Sequence, residues 1–366
     1  MKRRDFVRNV SVLGATAGLV RVAKPWAMAS FQLDESDRSA DRDPMTILHS
    51  SLVVEGLDTA ATTKEYLKKL KAAGVNCRVQ GGTKKRLEPF ADTLVLATTV
   101  KEIRQAYKQN KIAQVFNMQS APYFNELVSP LGTGRTRLPE LYEEGLRICG
   151  LCYNLVCIYG GGCIEPHVGL TRAGRRLVED MNRLGIVIDV GGHMGEKSSL
   201  DVIAISPDVP VIDTHTNVRA LNDNPRCDSD RLIEAIAKTG GVIGITAYND
   251  FMARNPKNTH LRRIPQVGIE KYLDQFDYVR KLVGVDHVGL GTDNVEGQDA
   301  PWKRQNWLAM PLEAYSENWD YVKGFESMSE LPNVVRGLIK RGWSTGEIRK
   351  VLGENWLRVY KQVWGV

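Results

Sequence analysis

Histidine is scarce in this chain, six in 366 residues, and cysteine is no more frequent, also six. So few cysteines in so long a chain exclude a disulfide-dense mini-protein. No apolar run reaches the roughly 18 residues of a membrane-spanning helix. No Gly-x-Gly-x-x-Gly follows the first strand-like run, so nucleotide binding is not indicated. An excess of one charge sign is also missing from most of the chain. The formal net charge is +6, but six basic residues and only Asp5 on the acidic side fall within residues 1–29. The remainder carries 43 basic and 42 acidic residues. A near-neutral body offers no electrostatic argument for nucleic acid or an anionic membrane. What is present is ordinary globular composition, 43% hydrophobic and 25% charged, which excludes disorder and collagen-like repeats. The length suits one large α/β domain of about 250–330 residues.

The N-terminus reads as an address. Arg3-Arg4-Asp5-Phe6-Val7-Arg8 precedes a weakly apolar stretch from Val10 to Val20, then Lys24, Pro25 and Ala27-Met28-Ala29. This is the charged, apolar and small-residue layout of an export signal. The adjacent arginines make it look like a twin-arginine signal, which predicts the export machinery as a partner and cleavage near Ala29. The mature protein is then periplasmic or otherwise exported. Such proteins cross already folded, which suits a chain that must first acquire a metal. Residues 30–44 are polar and charged and read as a mobile lead-in.

Beyond it, short apolar runs alternate with helical patterns. The strand-like runs are Thr46–Glu55, Val75–Gln80, Ala113–Met118, Ile148–Tyr153, Ile186–Val190, Val209–Thr214, Gly241–Thr246 and His287–Gly291. Helical patterns include Lys64–Ala73, Val100–Gln109, Leu138–Glu144, Thr171–Leu184, Ser198–Ile205, Asp230–Lys238, Gly268–Leu282, Leu331–Arg341 and Ser344–Leu352. Eight strands alternating with helices predict a (β/α)8 TIM-type barrel over residues 45–366, with an open doubly wound sheet as the alternative. Cys157 and Cys163 flank Gly160-Gly161-Gly162 and could pair. The Cys149–Cys152 spacing lies in a strand-like run, where side chains three apart face opposite ways, so these read as free core cysteines.

Barrel chemistry sits at the C-terminal ends of the strands. The predicted fifth, sixth and eighth strands end in Asp189-Val-Gly-Gly-His193, in Asp213-Thr-His215 and in Gly291-Thr-Asp293. Two His and one Asp thus emerge at one rim, the ligand types of zinc or a similar divalent ion. Asp189 could instead orient one of the histidines. His287 begins its strand, at the opposite end, and reads as structural.

Gly169 through Asp189 resembles the signature stretch of the membrane (renal) dipeptidase family. So do Asp213-Thr-His-Thr-Asn-Val-Arg-Ala-Leu, Gly240-Gly-Val-Ile-Gly-Ile, Asp286-His-Val-Gly-Leu-Gly-Thr-Asp293 and the stretch from Leu331 to Gly353-Glu-Asn-Trp-Leu-Arg-Val-Tyr. The resemblance runs from about Thr46 to the C-terminus. It implies a metallo-dependent hydrolase-like barrel with two zinc ions at the rim that hydrolyses dipeptides, and dimers are common in the family. Carried over by residue, His193 and His215 match the two His ligands of the second zinc. Asp293 matches a first-zinc ligand that also handles protons, Arg226 the clamp for the substrate carboxylate, and Tyr248 a pocket-lining tyrosine.

The departures matter more. The family's first strand ends Asp-Gly-His-x-Asp; here the stretch is Glu55-Gly56-Leu57-Asp58-Thr59. The bridging Glu is Gln119, and the His contacting the tetrahedral intermediate is Tyr153. One carboxylate, Asp293, survives, and Asp58 or Glu55 would have to swing in. The expectation is one zinc on His193 and His215 with Asp293 or Gln119, and two only doubtfully. Arg226 would then pair with a terminal carboxylate, Tyr153 would donate to the developing oxyanion, and Asp293 would shuttle a proton. The bland readings are a loop anchor for Arg226, a buried aromatic for Tyr248 and a hydrogen-bond spacer for Gln119. Three functions follow: an exported hydrolase of a dipeptide or small amide, a member recruited to tailor an exported peptide-derived metabolite, or a small-ligand-binding protein. The aromatic-rich stretch Pro301–Tyr321 reads as a lid or as the contact of a homodimer.

Overall fold

The structure, a computed structural model, describes residues 43–121, 137–297, 310–318 and 320–365. The proposed export signal and most of the lead-in lie outside these residues, as do Trp302, Trp307 and Trp319. Nine strands are present among the described residues: β1 Val53–Glu55, β2 Val75–Gln80, β3 Leu94–Leu96, β4 Ile112–Met118, β5 Leu146–Cys149, β6 Val187–Asp189, β7 Val211–Thr216, β8 Ile243–Ile245 and β9 Val288–Leu290. All their pairings are parallel. The order β1-β2-β4-β5-β6-β7-β8-β9 is the winding of an eight-stranded barrel. Its ends meet where Gly56 N donates to Leu290 O at 2.9 Å and Asp293 N to Leu57 O at 3.0 Å. The predicted fold is therefore the observed one.

Two expectations need correction. Thr46–His49 is not strand: residues Pro44–His49 form a helix, capped by the Asp43 side chain on Thr46 N at 2.8 Å with Pro44 at its first position. An Asp-Pro pair is a helix start, and it outweighs the apolar run behind it. The lead-in therefore ends before Pro44. The strand missed from sequence is β3, three residues long, which pairs with Ile112–Gln114 of β4 while β5 takes Phe116–Met118. So short an addition has no periodicity to read.

The core has two layers. Inward residues such as Val54, Val79, Val115, Ile148, Val187 and Ile212 fill the barrel together with Trp356 and Tyr360. Outward residues such as Ile188, Val211, Ile243 and Val288 pack against the helices. Strands buried on both faces read as continuous apolar runs, which is why they were legible. Trp356, from the C-terminal helix Asn355–Trp364, enters from the N-terminal end of the barrel and donates to Leu290 O at 3.1 Å. A Cβ at Gly56 or Gly289 would lie 2.6 or 2.7 Å from its ring, so glycine is needed there to admit the indole. That end is thus sealed, and the opposite rim is free for chemistry.

Candidate functional site

The rim is built where strands stop. The loop after β6 turns at Gly191-Gly192, and a Cβ on Gly192 would sit 1.7 Å from an Arg226 nitrogen. Only glycine lets His193 and Arg226 share this corner. His215 lies within β7 and is fully buried. The two imidazoles meet with Nε2 to Nε2 at 3.0 Å and rings at 61°.

Hydrogen bonds fix the His215 tautomer. Thr214 donates its hydroxyl to Asp189 Oδ2 at 2.6 Å, so it accepts from His215 Nδ1 at 2.8 Å. His215 therefore turns its Nε2 lone pair toward His193 Nε2. Asn154 Oδ1 can only accept, and it lies 2.7 Å from His193 Nδ1. Burial holds both histidines well below their ordinary pKa, with the Arg226 charge adding to the effect. Gln119 Oε1, which can also only accept, lies 2.9 Å from His193 Nε2, so both ring nitrogens of His193 face acceptor oxygens. The predicted role of Asp189 is present, but it acts through the Thr214 hydroxyl rather than on a ring nitrogen.

Arg226 is fully buried. Its Nε donates to the Tyr315 hydroxyl at 2.7 Å, and the guanidinium lies 4.8 Å from the centre of the Phe251 ring. Both terminal nitrogens lack a hydrogen-bond partner among the described residues. An unsatisfied buried guanidinium is costly, and two parallel donors match a carboxylate. Tyr153 lies past the end of β5, stacked on His193 with centroids 3.9 Å apart. Tyr248 is buried in an aromatic cluster with Phe251 and Tyr315, and its hydroxyl donates to Asn318 O at 3.0 Å.

Asp293 follows β9 with a left-handed φ of 55°. Desolvation pushes its carboxyl up to about 7, against the pull of Arg226. Among the described residues no three His, Cys, Asp or Glu side chains converge as a metal-holding set. Asp293 interacts electrostatically with Arg226 and Asp58. Asp58 and Glu55 are held elsewhere. Asp58 pairs with Arg78 at 3.4 Å and accepts from the Tyr66 hydroxyl at 3.1 Å. Glu55 Oε1 accepts from Thr292 N at 2.5 Å. The donors that meet are His193, His215 and Gln119.

The family model described as membrane dipeptidase matches residues 82–306 and 314–366. The chain belongs to the membrane dipeptidase family. Dipeptidase tcpJ of Claviceps purpurea is 25% identical over 280 residues, covering 76% of this chain and 57% of its own length. The chain thus spans little more than half of that relative. A protein of Klebsiella pneumoniae, described only by its place in the pqqA 5' region, is 29% identical over 281 residues, or 75% of this chain and 90% of that one. The crystal structure of an amidohydrolase from Pseudomonas aeruginosa is 27% identical with a TM-score of 0.74, covering 88% of this chain and 100% of that one. The membrane dipeptidase family is one of metal-dependent peptidases.

Asn154, Thr214, Phe251 and Tyr315 were missed from sequence. Asn154 did carry a signal, since it follows the strand end in a left-handed turn with φ 58°, a conformation asparagine tolerates. Tyr315 belongs to the aromatic-rich stretch, and its hydroxyl faces Arg226 and Asn154. Cys157 does not pair with Cys163: all six cysteines are free, and Cys163 donates to Asn154 Oδ1 at 3.4 Å.

Proposed function

We propose that this protein hydrolyses a dipeptide or small amide ending in a carboxylate, at a site holding one divalent ion, zinc by family resemblance. One observation carries the reading: the two imidazole Nε2 atoms and Gln119 Oε1 converge beside a buried guanidinium whose terminal nitrogens have no hydrogen-bond partner among the described residues. His193, His215 and Gln119 would hold the ion, and when bound it supplies the Lewis acidity that polarises a substrate carbonyl. Arg226 would take the terminal carboxylate in a two-pronged grip, and Phe251 beneath it keeps water away. Tyr153 would donate to the developing oxyanion. Asp293, with its carboxyl near neutrality, is suited to accept and return a proton.

The test is metal content per chain on protein purified without chelator, with dipeptide turnover measured before and after chelation. One ion and chelator-sensitive turnover are expected. Two ions would overturn the ligand count. No ion, and no turnover after zinc or manganese is added, would sink the hydrolase reading.

The absence of strong ligands at Leu57, Thr59 and Gln119 supports a second reading. A member recruited to tailor an exported peptide-derived metabolite would keep the pocket without turning over dipeptides. A non-catalytic binding protein would be stabilised thermally by its ligand and yield no product. We also propose export by the twin-arginine route with cleavage near Ala29, a periplasmic mature domain starting after the lead-in, and a homodimer. Cell fractionation with N-terminal sequencing checks the first two, and sedimentation checks the third.

A further inference from the structure

We propose that Cys152 and Cys157 are a disulfide-forming pair whose closure fastens the turn that positions His193. The two sulfurs lie 2.9 Å apart, less than ~1 Å beyond the ~2.05 Å of a disulfide bond, so closure needs little backbone movement. The chain between them carries Tyr153, which stacks on His193, and Asn154, which holds His193 Nδ1. The turn is tight: Leu155 N donates to Tyr153 O at 2.6 Å and Cys157 N to Gly160 O at 2.9 Å. A bond from Cys152 to Cys157 encloses both His193 partners in one small ring. The other four cysteines are fully or almost fully buried, and none is placed sulfur to sulfur in this way.

The two thiols are unequal, and that gives the reaction a direction. Cys157 is half-buried, and its thiol is pulled down to about 6 by the hydrogen bond from Cys152, helped by the Tyr159 backbone N–H. The same hydrogen bond, with burial, holds the Cys152 thiol above its ordinary value. A disulfide oxidant such as oxidised glutathione, or the disulfide of a thioredoxin-fold protein, is the electron acceptor. Cys157 thiolate attacks one oxidant sulfur, forming a mixed disulfide and releasing the first thiol. Cys152, on losing its proton, attacks Cys157 Sγ and expels the second thiol. Two protein thiols are oxidised, the oxidant disulfide is reduced to two thiols, and the protons lost from the protein end on them.

The proposal does not rest on the hydrolase reading, and its test needs no substrate. The full chain is incubated with oxidised glutathione or with dithiothreitol, quenched in acid, unfolded and alkylated. Of the six cysteines, four should take label after oxidation and all six after reduction. Cys149, Cys152, Cys157 and Cys163 all lie between Arg147 and Arg172, so the peptide map requires cleavage at Tyr153 and Tyr159. A linked peptide joining Cys152 to Cys157 is expected. The oxidised protein should melt several degrees above the reduced one, and that difference should vanish in C157S. The double variant C152A/C157A controls for folding, since it should melt with the reduced protein under both conditions. Six labels after oxidation, a link between Cys157 and Cys163, or an oxidation-dependent melting shift that persists in the double variant would each overturn the proposal.

Discussion

Two corners of the rim differ in how their polar groups are held. At the end of β1, the stretch Glu55–Thr59 is packed into the fold. Asp58 and Arg78 are both fully buried and paired, and Arg78 also donates to Gln114 and Thr62 at 2.7 and 2.8 Å. Leu57 is fully buried, and Glu55 closes the barrel by accepting from Thr292 N. The Asp58 and Arg78 charges thus have partners, while Glu55 Oε2 has none among the described residues and burial holds that carboxyl well above its usual range. At the ends of β6 and β7 the reverse holds. The two imidazoles meet Nε2 to Nε2, and the Arg226 terminal nitrogens have no partner among the described residues. Satisfied polar networks contribute rigidity, whereas unsatisfied ones contribute binding.

The comparison can be broken from either side. The largest effect is expected from Asp58→Ala, which strands the Arg78 charge. Breaking a buried pair costs roughly 3–5 kcal/mol, so urea unfolding should show a loss of that size. Any ion held by His193 and His215 should bind as before in the fraction that remains folded. His215→Ala should do the opposite. Ion affinity should fall by more than the ~100-fold that loss of an outer partner can cost, with little change in unfolding free energy. Isothermal titration with zinc reads the first and urea unfolding the second.

Thr214→Val is subtler. It deletes the hydroxyl between Asp189 and His215 and leaves both in place, and zinc affinity should drop by roughly 10–100-fold. Gln119→Glu sharpens the contrast by returning a charge to the histidine corner. Zinc should bind about tenfold more tightly or better, because a unit charge a few ångströms away contributes several kcal/mol even at an effective dielectric of about 20.

The smallest effect tests the structural corner by pH. Desolvation holds the Glu55 carboxyl well above the usual carboxylate range. The stability it gives by keeping its proton is complete below the unfolded value of about 4.5 and is lost as pH rises through the folded value. Glu55→Gln lacks that loss. The variant should therefore gain on the parent between pH 6 and 7, by at most ~1.4 kcal/mol, in paired unfolding curves.

Much of this was legible beforehand because a parallel barrel writes itself as apolar runs at regular intervals. The chemistry follows each run by a residue or two, so His193, His215 and Asp293 could be placed at one rim by counting alone. The first strand was read too long because an apolar run carries no sign of whether it is strand or helix, and its Asp43-Pro44 start was overlooked. Glu55 and Asp58 could be assigned no partners, since those partners lie on β2, β4 and the turn after β9. Asn154 and Tyr315 were invisible for the same reason: they are 161 residues apart and meet through the Tyr315 hydroxyl, which both accepts from and donates to the Asn154 amide.

The sequence by itself determined the barrel, the family and the run of residues that reach its rim. Each of these depends on residue type and on periodicity along the chain. Only the tertiary structure decided that His193 and His215 meet Nε2 to Nε2, that Thr214 links Asp189 to His215, and that the Arg226 terminal nitrogens have no partner among the described residues. Those facts depend on distances and directions between side chains from different strands, which close only when the barrel does.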